Sequence, residues 1–247
     1  MPFEHAIKKL QSFIKQVPHD NIRKQHKRSY TPFIYASSKK EIILTQNVGR
    51  ELGHPKNSSL AFIAWTQHPV EKDQITLIGK DLSEASEIHM DFGKVIMLTV
   101  TDFDADNTYD RYQELDLLRF TLNLHGYMMR AASQQMREWS RISKSAVKKG
   151  LSLFDLGSAW IDLYGQLPYV TAVEVLLITD NDYIKQLNPI SQHVFQYVQA
   201  MMKMHDEVSL DCSSCEYQTV CNDVQSLRTM RKNILDKRLE INNNSDR

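Results

Sequence analysis

Apolar side chains recur at helical spacing from the start of the chain. Phe3, Ile7, Leu10, Phe13 and Ile14 share one face, so residues 4–16 predict an amphipathic helix. The polar stretch 19-HDNIRKQHKRSY-30 follows, with Arg23, Lys24, Lys27 and Arg28 clustered in it, and reads as a solvated charged connection. From about residue 31 to 101 the pattern changes to short runs rich in β-branched and aromatic residues. The runs 59-SLAFIAW-65, 74-QITLIG-79 and 94-KVIMLTV-100 are bounded by Gly, Asp, Pro or Asn and predict strands. Their spacing suits a meander or a small mixed sheet rather than βαβ crossovers.

Helical intervals return after residue 107. Leu115, Leu118, Leu122 and Met129 mark a helix within 109–139, with Gly126 as an interruption. Shorter helices fit 143–150, stopped by Gly150, and 153–167, closed by Pro168. The run 170-VTAVEVLLITD-180 predicts a strand, a long helix spans about 182–205, and a last helix spans 223–238. A strand-rich half, a helix-rich half and one late strand predict an α+β fold: a mixed sheet packed with helices, and a helical C-terminal part carrying a cysteine cluster. The organisation divides into an N-terminal helix with its basic connection (1–30), an α+β domain (31–207), and a cysteine segment with the last helix (208–247).

Composition narrows the function. The chain has 247 residues, 42% of them hydrophobic, enough to bury a real core. Its thirty acidic and thirty basic residues cancel, which argues against nucleic acid as a partner. No run approaches the roughly 18 to 20 apolar residues that span a bilayer, and the mixed charges of the first helix do not resemble a signal peptide. A cytoplasmic location is expected. The eight glycines form no phosphate-cradling loop, and no Ser–His–Asp arrangement or Walker sequence occurs. The segment 102-DFDADNTYD-110 spaces Asp102, Asp104 and Asp106 like the start of a calcium loop. It lacks Gly at the sixth position and has Gln113 at the twelfth, so it reads as an acidic loop capping a helix. The nine histidines are scattered without an H-x-x-x-H pair.

All three cysteines fall in 211-DCSSCEYQTVCNDV-224, as C-x-x-C-x5-C. Cys212, Cys215 and Cys221 could grip one soft centre, an iron–sulfur cluster or zinc, and a disulfide would leave one thiol odd. Asp211, Asp223, His205, solvent, a substrate or a residue of another protein could supply the fourth ligand. The run CSSCEYQTVC resembles the closing cysteine group of RecB-type nucleases that carry an iron–sulfur staple, and radical-SAM accessory domains use similar spacing. No nuclease constellation accompanies it, so that resemblance favours the cofactor, a [4Fe–4S] cluster, and not the activity.

A longer resemblance covers roughly residues 50–222. The stretch 139-WSRISKSAVKKGLSLFDLGSAWIDLYGQLPYVTAVEVLLITD-180 resembles the middle domain of acetyl-CoA synthase, the β subunit of the CO dehydrogenase/acetyl-CoA synthase complex. The shared features are W-x-R-I-S-K, the helix end Ala146 to Gly150, a Leu-Gly helix, and a strand from Pro168 to Asp180. Upstream, 52-LGHP-55 and 74-QITLIGKDLSE-84 resemble the segment leading into that domain. The resemblance implies that Cys212 and Cys215 match the first C-x-x-C pair of the family's nickel–iron–sulfur site and that Cys221 approximates its third cysteine. The family's fourth cluster cysteine and the later C-x-C nickel pair have no counterpart, so full acetyl assembly is not expected of this chain alone. In the family, arginines and a tryptophan of the middle domain face coenzyme A. Arg141 matches one of those arginines, while Arg130 stands at the tryptophan's position. Arg130, Arg137 and Arg141 make a candidate anion site, with Arg130 and Arg137 seven apart and on one face if helical. The expected role is an iron–sulfur component of anaerobic C1 metabolism, serving electron transfer, docking or an accessory task beside a corrinoid or other C1-pathway protein. The alternatives are an interaction module with a structural metal staple, or a subunit that completes its cluster with a partner.

Overall fold

The computed structural model describes residues 3–28, 41–133, 136–206 and 215–245. In chain order the elements are α1 (Glu4–Gln16), β1 (Ile22–His26), β2 (Val48–Leu52), β3 (Ser59–Thr66), β4 (Gln74–Ile78), β5 (His89–Met90) and β6 (Phe92–Val100). They continue with α2 (Thr108–Leu118), β7 (Tyr127–Ser133), β8 (Arg137–Ser143), α3 (Lys144–Lys148), α4 (Leu153–Tyr164), β9 (Val170–Ile178), α5 (Asn181–Asp206), α6 (Gln218–Asp223) and α7 (Gln225–Ser245). The architecture is α+β with two mixed sheets. None of the described helices is long and apolar enough to cross a membrane.

The larger sheet has the order β1-β4-β9-β6-β3. Its β3/β6 and β4/β9 pairs are parallel, while β1/β4 and β6/β9 are antiparallel. The mixed sheet is therefore as expected, but its parallel pairs require crossovers, and the meander alternative fails. β9, the late strand, inserts between β4 and β6 at the centre, where both of its faces need cover. One face receives α4, whose Gly157 lies so close to the sheet that an added Cβ would stand 2.8 Å from Ile75 Cγ2. The other receives α5 and α1, with Ile184 of α5 seated against Gly93 and Ile178. The apolar stripe of α1 (Ala6, Ile7, Leu10, Ile14) is buried as its spacing predicts, and Phe3 packs edge-on to Trp65 at 4.3 Å.

The smaller sheet, β5-β2-β8-β7, abuts the β3 edge of the larger one. Ala61 N–H donates to Met136 C=O (2.6 Å), and Ser59 Oγ both donates to Glu138 C=O (2.7 Å) and accepts from Glu138 N–H (3.0 Å). A buried ion pair spans the same junction. Lys94 Nζ of β6 lies 2.5 Å from Glu138 Oε2 of β8, and 3.8 Å from the centre of the Trp160 ring. Tyr127 and Ser140 hydroxyls, 3.0 Å apart, line the Glu138 side of the pair.

Two expectations are corrected. The helix within 109–139 ends at Leu118, and Tyr127–Ser133 and Arg137–Ser143 pair as the antiparallel strands of the β7–β8 hairpin. Gly126, at φ +82°, starts the hairpin where a Cβ would collide with Ala146 Cβ at 2.3 Å. In β8 the inward residues are Glu138, Ser140 and Ile142, so two of the three buried side chains are polar and the period of two does not show as hydrophobicity. The segment 19–30 is not merely a solvated connection either. Ile22–His26 is an edge strand on β4, and its Arg23 forms a two-pronged pair with Glu84 (2.7 and 2.8 Å). Charged side chains suit a strand edge that must not pair further.

Candidate functional site

Alternation along β8 places Arg137, Trp139 and Arg141 on the sheet face opposite Glu138 and Ser140. Arg141 is paired in register with Glu51 of β2, and Glu51 in turn with His89 of β5. These neighbours make a row of charge across the sheet. Arg141 Nε donates to Glu51 Oε1 (2.7 Å), and Arg141 Nη1 donates to Ile43 C=O (3.1 Å). Both residues are buried. Glu51 Oε2 faces the other way, 3.3 Å from His89 Nε2 and 3.7 Å from His54 Nε2. The two imidazoles stack at 4.2 Å, and the edge of Trp139 meets His54 at 5.3 Å. His54 Nδ1 accepts from Lys56 N–H (3.2 Å). Burial, then the charge on His89, pushes the His54 pKa below its ordinary value, against the opposing pull of Glu51.

The three expected arginines do not converge. Arg130 falls at the irregular step of β7 between Met129 and Ala131, with its guanidinium 5.2 Å from the Trp139 ring centre; Arg141 lies 5.6 Å from the same ring. These two flank one tryptophan, and only Arg130 has an exposed side chain. Arg137 is exposed and donates through Nη2 to Asn57 C=O (2.9 Å). It stands at an open cavity of about 640 Å³ between the 55–60 segment and α5, with Lys56, Ser58, Asn188, Ser191 and Gln192 also in its wall. The idea that Arg130 and Arg137 share a helical face is overturned, because they lie on two strands of a hairpin.

Of the three cysteines, Cys212 lies outside the described residues, as does Asp211. Cys215 is half-buried, and its carbonyl accepts from Gln218 N–H (3.1 Å) in the turn that starts α6. Cys221 on α6 is 4% exposed and belongs to the apolar core, where α6 packs on α5 and α7. His205, at the end of α5, faces Asp110 at 4.0 Å and the Tyr109 ring at 4.5 Å. The acidic loop folds on itself ahead of α2, where Asp104 Oδ1 accepts from the N–H groups of Asp106 (2.8 Å) and Asn107 (2.9 Å), while Asn107 at the start of α2 makes no side-chain capping hydrogen bond.

Glu51, His54, His89 and the flanked Trp139 escaped sequence reasoning as a group. His54 and His89 are separated by 35 positions, and only the β2/β5 register brings the second beside Glu51. Among the described residues, Glu51, His54 and His89 are the one set of three metal-capable side chains whose ligand atoms all lie within 4.8 Å of one another.

The family model for the CO dehydrogenase/acetyl-CoA synthase complex beta subunit matches residues 36–184, which includes both sheets except β1 and part of the junction with α5. The chain is 30% identical over 178 residues to the acetyl-CoA decarbonylase/synthase complex subunit beta of Archaeoglobus fulgidus, covering 67% of this chain and 33% of that one. It is 26% identical over 172 residues to subunit beta 1 of Methanosarcina mazei (67% and 36%), and 24% identical over 149 residues to the Methanopyrus kandleri subunit (59% and 31%). The chain thus spans about a third of the length of the curated relatives it matches. On the extent of the match across its two-sheet body, the chain belongs to the CO dehydrogenase/acetyl-CoA synthase complex beta subunit family.

Proposed function

We propose that this chain is an iron–sulfur component of an acetyl-CoA synthase system, acting as an accessory, docking or electron-transfer partner in anaerobic C1 metabolism. The observation that carries this reading is the position of the cysteines relative to the family domain. The matched body ends at residue 184, and α5 then runs directly from it to the cysteine segment. Cys221 is held in an apolar environment by α5 and α7, and Cys215 sits in the tight turn six residues before it. Three thiols in C-x-x-C-x5-C order suit a soft centre, and a dry wall on one side suits an iron–sulfur cluster, whose potential depends on burial. Cys212, Cys215 and Cys221 would hold the [4Fe–4S] cluster, which would supply one-electron chemistry. The relatives are named as subunits of a complex, and a corrinoid or other C1-pathway protein is the partner this reading calls for.

Anaerobic expression and reconstitution test it. The expected product is a brown protein with about four irons and four sulfides per chain. Cys215→Ser should lose the cluster. Iron and sulfide contents near zero after reconstitution would overturn the proposal.

A second reading, binding of coenzyme A or another phosphate ligand, rests on the exposed guanidinium of Arg130 beside Trp139 and on Arg137 at the open cavity. Guanidinium groups bind phosphates through two donors at once. Coenzyme A should change Trp139 fluorescence, and Arg130→Ala should abolish that change.

A further inference from the structure

We infer that Glu51, His54 and His89 bind a single divalent cation of the zinc class, with Arg141 orienting the carboxylate. This site is separate from the cysteine segment and does not depend on the iron–sulfur reading.

The distances favour a metal over hydrogen bonding. Glu51 Oε2 lies 3.7 Å from His54 Nε2 and 3.3 Å from His89 Nε2. The first is too long for a hydrogen bond, whose N–H···O length runs to about 3.2 Å. Both are near the spacing of about 3.3 to 3.5 Å between donors that stand 2.0–2.1 Å from a tetrahedral zinc. The carboxylate is also committed in the right sense. Its Oε1 is held by Arg141 at 2.7 Å, so Oε2 alone is presented to the histidines. A charged group that fixes a metal ligand from behind is the usual support of such sites. The side chains grade from buried to open: 7% exposed for Glu51, 17% for His54 and 46% for His89. That gradient gives a dry floor and an open mouth, where solvent would complete the coordination.

Two imidazoles and one carboxylate are borderline donors, suited to zinc rather than to magnesium or calcium, which prefer all-oxygen sites. Two rearrangements accompany binding. His54 Nδ1 now accepts from Lys56 N–H, so the neutral ring carries its proton on Nε2. A cation at Nε2 moves that proton to Nδ1, and the Lys56 contact is released; the ring stays neutral throughout. His89 turns its ring out of the stack with His54 to aim its lone pair, which its half-open position permits.

The test uses the full chain and zinc, with magnesium as control. Cobalt substitution reads the donor set directly. At Glu51, His54 and His89, cobalt gives visible d–d bands without thiolate charge-transfer absorption, and these bands should survive alkylation of the cysteines. His89→Ala, which changes a half-exposed side chain, should weaken zinc binding at least tenfold. It should also remove the rise in melting temperature that zinc gives the wild type. His54→Ala should do the same. The inference fails if all bound zinc or cobalt is lost on alkylation. It fails equally if His89→Ala and His54→Ala, melting like the wild type without metal, bind zinc as the wild type does. The iron and sulfide contents that test the cluster are independent of both results.

Discussion

Replacing Glu138 by Gln asks what the ion pair between the two sheets does for stability. The Lys94 and Glu138 side chains are 4% and 1% exposed, with 2.5 Å between Nζ and Oε2. Burial lowers the Lys94 pKa, and the Glu138 charge opposes that shift. Glutamine keeps the shape and still offers Tyr127 and Ser140 a partner, but the lysine then keeps a buried charge without a counter-ion or gives up its proton. Breaking a buried pair from one side costs about 3 to 5 kcal/mol. For a chain of this size that corresponds to a melting temperature lowered by about 6 to 20 °C. Lys94→Met with Glu138→Leu removes both charges and should recover most of the loss. The pH dependence has a definite sign. The folded Lys94 pKa lies below its ordinary 10.5, so the unfolded state binds the extra proton, and stability rises with pH between the folded value and 10.5. Loss of Glu138 lowers the folded value further and widens that window, so the deficit of Glu138→Gln shrinks as pH rises toward 10.5. Calorimetric melting in pH steps measures both effects. A deficit below about 1 kcal/mol that is flat with pH would refute the view that the charged lysine depends on this partner.

Other consequences are separately testable. Gly157→Ala should destabilise the fold by about 1 to 3 kcal/mol in urea, because the new methyl meets the branched Ile75 at 2.8 Å; an unchanged midpoint would show that α4 can retreat. Ser152→Ala should cost about 1 kcal/mol, since Ser152 Oγ accepts from Asp155 N–H (3.1 Å) and donates to Asp155 Oδ2 (2.8 Å) in the cap of α4. Asp104→Ala should cost about 1 kcal/mol through loss of the two hydrogen bonds that fold this loop, and calcium should leave the wild-type melting temperature unmoved. A calcium-dependent rise would restore the ion-binding reading of that loop.

The elements that could be read from the chain are those whose burial is apolar and periodic. α1, β3, β4 and β9 each bury a continuous or regularly spaced apolar set, and their limits fall within a residue or two of expectation. The β7–β8 hairpin could not be read this way. Its inner face is made of Glu138, Ser140 and Tyr127 around a lysine supplied by β6, and its leucine-bearing approach, 115–122, keeps a helical period up to the point where α2 ends. A buried polar network satisfies itself only in three dimensions, so its members look like surface residues in one. β1 was hidden for the opposite reason: an edge strand protects itself with the same charges that mark a loop.

The site follows the same division. The resemblance carried by W-x-R-I-S-K drew attention to residues 139–144, yet the chemistry of Arg141 comes from what lies across the sheet. Paired with Glu51, its guanidinium faces a carboxylate and a backbone carbonyl, and the exposed positive charge on that side of Trp139 passes to Arg130. Glu51 then faces His89 only because β5 adds in parallel to β2, a two-residue strand pair with no hydrophobic signature. Local sequence therefore marked the arginine, while register determined what that arginine could do. The histidine pair depends on register even more, since removing the β2/β5 pairing would dissolve the site and leave every helix of the fold in place.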